Sequence, residues 1–582
     1  MPREPEFRLR WLGRLGAVAF TVLLVGLGYL QLGRGGFYRE QAERNAVRLV
    51  PIEAPRGVIL DRFGRPLATN QLSFDVALVP QETPDVEFVL TRLAHLTQQS
   101  LTTLREQLAK QQSWPFRPAV LLPDAPLAVV MRVEEHRHEL PGLVVLPRAK
   151  RTYPYGAAAA HVVGFIGPMS AEELPHLRAY GFRLHDWVGK AGVEATYDAY
   201  LRGQSGGLVV EVDNRGRQVR VLNQQDPVPG KPLTVTLDGE LQQLIAQAFE
   251  GHAGACVVLE PTTGEVLALV SAPSFDPDSF LSPQREAALT VLRDQRQPLL
   301  NRAISGTYIP GSTFKLVTTS AALETGAVTP TTTFTCTGQL RLGQRIFHCW
   351  NVDGHGQQLL RQGLTHSCNV FFYHVGLAVG PDPLTRWAER LGLGEATGID
   401  LPGEQQGAVP SRSWKRQRLH ESWYEGDTAN FAIGQGTLLV TPLQAARLVA
   451  AVANGGWLIP PHVVQRIGAI VVKRTAAQAV GLRPTTRQAL MDGLVDAVAS
   501  PDGTGHRAWK AGLSLAGKTG TAQTHRAGES HAWMIAVTPV EHPQAAVAVL
   551  FEFGGSGGRL PAQLVQRIAE FIQQHYTTPD AS

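Results

Sequence analysis

The stretch Tyr308-Ile309-Pro310-Gly311-Ser312-Thr313-Phe314-Lys315-Leu316-Val317 decides how this 582-residue chain is read. Pro310-Gly311 ends a loop, and the apolar residues from Leu316 to Leu323 continue as a helix. Ser312 and Lys315 then stand one turn apart, where residues three apart share a helix face. The lysine is within reach of the serine hydroxyl. A serine is a weak nucleophile until a neighbour takes its proton, and a desolvated, neutral lysine can do that. The N-terminus of a helix also favours the negative charge that develops there. By itself S-x-x-K is common, and a capping serine with a solvated lysine explains it equally well.

Two further stretches change the weight of that reading. Ser367-Cys368-Asn369 opens the apolar helix that begins Val370-Phe371-Phe372-Tyr373, and Lys518-Thr519-Gly520-Thr521 precedes two strand-like runs, 533–537 and 545–551. The order S-x-x-K, S-x-N, K-T-G is that of penicillin-binding proteins and class A β-lactamases. The chain resembles the class B penicillin-binding proteins, membrane-anchored D,D-transpeptidases that cross-link peptidoglycan, and it does so over nearly its whole length. Arg56-Gly57, Asp61-Arg62 and Gly64 look like the first pedestal motif of that family. Gly189-Lys190-Ala191-Gly192-Val193-Glu194 and Asn214-Arg215-Gly216-Arg217 look like the later ones. Residues 261–268 (PTTGEVLA) resemble the start of its catalytic domain, and Ala432-Ile433-Gly434-Gln435-Gly436 is similar to another of its segments. Arg48-Leu49-Val50-Pro51-Ile52 and Gly354-His355-Gly356 resemble the elongation-type, rod-shape subgroup (penicillin-binding protein 2).

The resemblance implies an α+β multidomain fold. A single transmembrane helix leads into an elongated β-rich pedestal with a small head subdomain, followed by a transpeptidase domain built as a serine β-lactamase-like α/β sandwich. It implies that Ser312 attacks the D-Ala-D-Ala carbonyl of a stem peptide and that Lys315 takes its proton. Ser367, helped by Lys518, would relay protons to the leaving amine, and Asn369 would hold the substrate amide. Thr519 and Thr521, with the positive Lys518 nearby, would bind the terminal carboxylate, Gly520 belongs to the same substrate-binding and oxyanion stretch, and the N–H groups of Ser312 and Thr521 would form the oxyanion hole. The chemistry needs no cofactor. The implied partners are D-Ala-D-Ala stem peptides, β-lactams as inhibitors, a SEDS-family polytopic glycan polymerase and other proteins of the elongation complex. A division-type transpeptidase, a D,D-carboxypeptidase and a non-catalytic penicillin-binding sensor or scaffold are the rival readings. No glycosyltransferase signature precedes the catalytic region.

The rest of the sequence fits one anchor and one large body. Residues 15–32 (LGAVAFTVLLVGLGYLQL) form an uncharged run at the short end for a membrane span, preceded by Arg3, Arg8, Arg10 and Arg14 and followed by no A-x-A-like cleavage site. The expected division is a cytoplasmic tail 1–14, an anchor 15–32, a pedestal 33–230 with its head about 80–150, a transpeptidase domain 231–576 and a flexible tail 577–582. The single span would sit in the bacterial inner membrane with the catalytic domain on the periplasmic side. A helix is expected over 37–50, strands over 57–60 and 73–79, and a helix or helix pair over 84–112 capped by Thr83. Residues 233–237 read as a strand, 238–250 as a helix capped by Asp238, and 255–260 with 265–271 as a buried hairpin. The final helix falls at about 560–575. Apolar residues at 44% exclude a disordered chain, and 54 Lys and Arg against 50 Asp and Glu give no argument for nucleic acid.

Four cysteines exclude a disulfide-dense scaffold. Cys256 lies in an expected core strand. Cys336, Cys349 and Cys368 bracket His355 as C-x12-C-x5-H-x12-C, a donor set zinc accepts. A Cys336–Cys349 disulfide and plain buried thiols are the alternatives to a structural zinc ion, with His348 and Asp353 as substitute ligands nearby.

Overall fold

Runs such as Ala255-Cys256-Val257-Val258-Leu259 lack polar alternation because both faces of their sheet are covered. In the computed structural model, which describes residues 4–111, 118–170, 172, 186–213, 218–281, 285–524 and 528–576, they form a five-stranded antiparallel sheet. Its strands are β1 (Gly254–Leu259), β2 (Val266–Ala272), β3 (Ala516–Gln523), β4 (Ser530–Thr538) and β5 (Ala545–Phe551), in the order β2-β1-β5-β4-β3. Cys256, Val258, Met534, Val547 and Val549 face the helices Gly239–Ala248 and Leu560–His575. Ala255, Val257, Ile535 and Ala548 face the other side, among the helices Lys315–Thr325, Asn369–Val379 and Pro442–Ala453. Asp238 caps the helix Gly239–Ala248, accepting from the N–H groups of Glu240 and Leu241. The K-T-G stretch itself lies in β3, at one edge of the sheet.

The chain divides into two units. One comprises residues 1–55, 71–150 and 203–229, the other 56–70, 151–202 and 230–582. In the first unit, the helix Glu4–Gly28 runs into a π-turn Tyr29–Gly33, and Leu9–Gly33 is apolar and long enough to cross a membrane, at about 1.5 Å per residue. The helix expected over 37–50 is Gly35–Ala46. Val47–Ile52 is instead a strand, paired antiparallel to Gly206–Val212, a partner too distant in sequence to be read locally. The helix pair is Val86–Thr97 and Leu101–Gln111. Its cap is Asp85, whose carboxylate accepts from Phe88 N–H, whereas Thr83 donates its hydroxyl to the Val79 carbonyl. Leu90, Leu93, Leu104 and Leu108 are buried with Val76, Leu78 and Leu121 in a small core of their own. Residues 214–217, which carry the last pedestal motif, and the tail 577–582 lie outside the described residues.

In the second unit the first two pedestal motifs converge. Glu194 is fully buried and takes Arg56 Nε at 2.5 Å and Arg151 Nε at 2.8 Å, and Arg56 also reaches Asp198 at 2.7 Å. The two guanidiniums hold the Glu194 carboxyl below its ordinary range against the opposing effect of burial. Gly57 is required because a Cβ there would stand 2.1 Å from the Lys231 carbonyl oxygen. Asp61 receives the N–H groups of Phe63 and Arg65 and the Arg65 guanidinium, which continues to Asp238 at 2.8 Å. Only Ile59–Leu60 of the expected strand 57–60 is in a strand, and the expected strand 73–79 is the end of a longer one, Pro66–Leu78, that stops one residue before Val79.

Candidate active site

The Pro310-Gly311 turn tightens into a 3₁₀ turn, Gly311–Phe314, before the helix Lys315–Thr325 begins. Ser312 is half-buried on this turn, and Lys315 is fully buried at the first helical position. The Lys315 ammonium nitrogen lies 2.7 Å from the Ser367 carbonyl oxygen, 3.2 Å from Ser367 Oγ and 2.8 Å from Asn369 Oδ1, with the Phe372 ring beneath it. Lys315 thus bonds to the S-x-N stretch and makes no hydrogen bond to Ser312 Oγ. Burial pushes the lysine down from 10.5 to about 7. Lys518 is also fully buried, and burial with the neighbouring Lys315 drives it well below its ordinary value.

The S-x-N stretch is shaped by its backbone. Ser367 adopts a left-handed conformation, φ 53°, rare outside glycine and typical of functional turns. That turn presents both its carbonyl and its hydroxyl to Lys315. Cys368 caps the following helix, its sulfur accepting from Phe371 N–H at 3.4 Å.

The K-T-G strand closes the site from the other side. Lys518, Thr519, Gly520 and Thr521 pair with Ile535, Met534, Trp533 and Ala532 of β4. Glycines set how closely this strand approaches the serine turn. A Cβ on Gly311, at φ +57°, would meet Thr521 O at 2.6 Å, and one on Gly520 would meet Pro310 O at 2.9 Å. The Ala432–Gly436 segment completes the contact. Gly311 N–H donates to Gly434 O at 2.9 Å, and Gln435 Nε2 donates to Thr521 O at 3.3 Å. Thr504 is a neighbour with no sequence signal. Its hydroxyl accepts from Thr519 at 2.9 Å from a turn far outside the motif. The structure therefore brings all eight residues singled out for chemistry and substrate binding together where the serine turn, the S-x-N turn and β3 meet.

Beside it, one donor atom from each of Cys336, Cys349, His355 and Cys368 lies within 4.8 Å of all the others. The cysteines are buried free thiols, so Cys336 and Cys349 are not bridged. His355 Nδ1 is 3.6 Å from Cys336 Sγ and 3.5 Å from Cys349 Sγ. Ligands bound at about 2.3 Å (sulfur) and 2.0 Å (nitrogen) around a tetrahedral zinc stand roughly 3.5 Å apart, so the donor set fits that ion. His348 and Asp353 are exposed and outside the group. Cys256 is buried in β1, where burial raises its thiol above the ordinary value.

Comparison with known proteins gives this arrangement a family. Residues 254–570 match the penicillin binding protein transpeptidase domain, and residues 51–235 match the penicillin-binding protein dimerisation domain. The chain belongs to the penicillin-binding proteins. This penicillin-binding protein is 34% identical over 596 residues to the peptidoglycan D,D-transpeptidase MrdA of Escherichia coli K12, covering 95% of this chain and 93% of that one. Among solved structures it is similar to PBP2 of Helicobacter pylori in complex with MreC, with a TM-score of 0.81, 29% identity, and coverage of 91% of this chain and 99% of the other. It is also similar to a chain from a peptidoglycan synthase complex that coordinates polymerization and crosslinking. There the TM-score is 0.76 and the identity 33%, covering 99% of this chain and 100% of the other.

Proposed function

We propose that this penicillin-binding protein is the D,D-transpeptidase of lateral wall synthesis, working through a serine acyl-enzyme on Ser312. The observation that carries the residue assignment is that buried Lys315 bonds to Ser367 and Asn369 while the Ser312 turn packs closely against the Lys518–Thr521 strand. A neutral Lys315 has two N–H groups for the Ser367 carbonyl and Asn369 Oδ1, and keeps a lone pair for the proton of Ser312. Ser312 Oγ attacks the carbonyl of the penultimate D-Ala, and the proton passes by way of Lys315 and Ser367 to the departing D-Ala amine. The N–H groups of Ser312 and Thr521 take up the charge on the oxyanion. β3 is an edge strand, so an extended stem peptide can add to it with its carboxylate near Thr519, Thr521 and Lys518. The amine of a second stem peptide then attacks the ester, forms the cross-link and frees Ser312.

Cys336, Cys349, Cys368 and His355 would hold a structural zinc ion, which ties the loop over 336–355 to the helix carrying Asn369. Likeness to PBP2 in complex with MreC and to a chain of a peptidoglycan synthase complex supports partners from wall synthesis, which in this reading are a polytopic SEDS-type glycan polymerase and other elongation-complex proteins. The apolar N-terminal helix supports an inner-membrane anchor with the catalytic domain on the periplasmic side. The direct test is cross-linking of pentapeptide-bearing glycan strands by the full-length protein. Cross-linked dimers and free D-Ala should appear with the native chain and not with Ser312→Ala; product from Ser312→Ala would overturn the assignment. Elemental analysis should find one zinc per native chain and less in Cys349→Ser, and no zinc in the native chain would refute the metal site.

A further inference from the structure

Tyr308 stands four residues before Ser312 and is 8% exposed. Its hydroxyl donates to Glu552 Oε1 at 2.7 Å, a residue 244 positions away that directly follows β5. The same carboxylate oxygen accepts from Arg302 Nε at 2.9 Å, and Arg302 is itself buried, its other nitrogens bonded to the carbonyls of Gln297 and Arg296. Glu552 is therefore pinned by a cation on one side and offers Tyr308 a charge-assisted acceptor on the other, a strong class of hydrogen bond. The Tyr308 ring packs edge-on to Trp533, with centroids 6.2 Å apart. Trp533 Nε1 donates to Ile309 O at 3.0 Å. Trp533 also pairs with Gly520 across β3 and β4.

These contacts tie the segment that delivers the nucleophile to the sheet that delivers the K-T-G strand. The serine turn rises from Tyr308–Pro310, and that segment is fastened at Tyr308 to the end of β5 and at Ile309 to β4. The placement of the serine turn against Thr521 draws on those two fastenings together with the backbone bonds of Tyr308 to Val440 and of Gly311 to Gly434, because Gly311 and Gly520 permit close approach without fixing it. We propose that Tyr308 and Glu552 are positioning residues for the oxyanion hole, with Glu552 acting through Tyr308 and Arg302 holding Glu552 in place. The inference rests on the acyl-enzyme reading of Ser312. It concerns the rate of acylation rather than substrate affinity, since neither side chain belongs to the groups that would hold the substrate. Oxyanion donors act through their placement, and small displacements cost rate steeply.

The test measures acylation of the full-length protein by a fluorescent penicillin, separating the acylation rate constant k2 from the dissociation constant Ks. Tyr308→Phe removes one hydroxyl from a site that keeps its ring. It should lower k2 about tenfold and leave Ks within about twofold. Glu552→Gln retains an oxygen acceptor for Tyr308 and should stay within about threefold of the native k2, while Glu552→Ala should match Tyr308→Phe. The double variant Tyr308→Phe, Glu552→Ala should be no slower than either single one, the signature of two groups acting as a unit. Values of k2 within twofold of native for both Tyr308→Phe and Glu552→Ala would overturn the proposal, as would additive losses in the double variant or a Ks that rises with the fall in k2. The acyl-enzyme reading fails separately: acylation that persists in Ser312→Ala, or its absence from the native protein, overturns that reading and this one with it.

Discussion

Acylation should depend on pH in a way that the buried lysine dictates. Lys315 must be neutral to accept the Ser312 proton, and burial brings it down to about 7 from 10.5. Lowering the pH protonates it and removes the base. For a single proton, the neutral fraction is about 9% at pH 6, half at pH 7 and about 91% at pH 8, so the rate constant should rise roughly tenfold from pH 6 to pH 8. A lysine with an ordinary value would be about 0.3% neutral at pH 8, and its rate would still climb tenfold per pH unit there. The assay is penicillin acylation under saturating β-lactam, followed by fluorescence in buffers of constant ionic strength. A rate that is flat within twofold from pH 6 to pH 8, or one still rising tenfold between pH 8 and pH 9, would refute the assignment of Lys315 as the base.

Other perturbations have expected signs and sizes. Glu194→Ala leaves the buried guanidiniums of Arg56 and Arg151 without their shared carboxylate, a loss of about 3–5 kcal/mol that should lower the thermal midpoint by roughly 10 °C; an unchanged midpoint would remove that carboxylate from the account of the fold. Gly311→Ala forces an L-residue into the left-handed region, at about 1–2 kcal/mol, and drives a methyl toward Thr521 O. Acylation should fall ten- to a hundredfold, and rates within twofold of native would show that the serine turn is not held against the strand in this way.

What the sequence disclosed depended on the range of the interaction. Ser312 with Lys315, and Ser367 with Asn369, lie within single turns, and the fully apolar runs of β1, β4 and β5 announce a sheet covered on both faces. The cap of the helix Val86–Thr97 differs from the expected Thr83 because Thr83 and Asp85 both suit the position in sequence. The carboxylate takes the N–H group, and the hydroxyl finds the Val79 carbonyl instead. Residues 47–50 continue the helical pattern of 37–46 in sequence, and their strand is set by a partner at Gly206–Val212. Thr504 and Glu552 carry no local signal and Trp533 signals only a strand, since each reaches the site by hydrogen bonds or pairing in the assembled fold. The partner of Lys315 was also beyond local reading. The helix face points it toward Ser312, but its nitrogen bonds to acceptors supplied from the S-x-N turn more than fifty residues on.

The central claim is that Ser312 is the nucleophile of a penicillin-sensitive acyl-enzyme, and peptide mapping by mass spectrometry after penicillin treatment tests it most directly. The account predicts a single adduct, equal in mass to one intact β-lactam, on the peptide containing Ser312, and none in Ser312→Ala. An adduct on another residue, or one that survives the substitution, would contradict it.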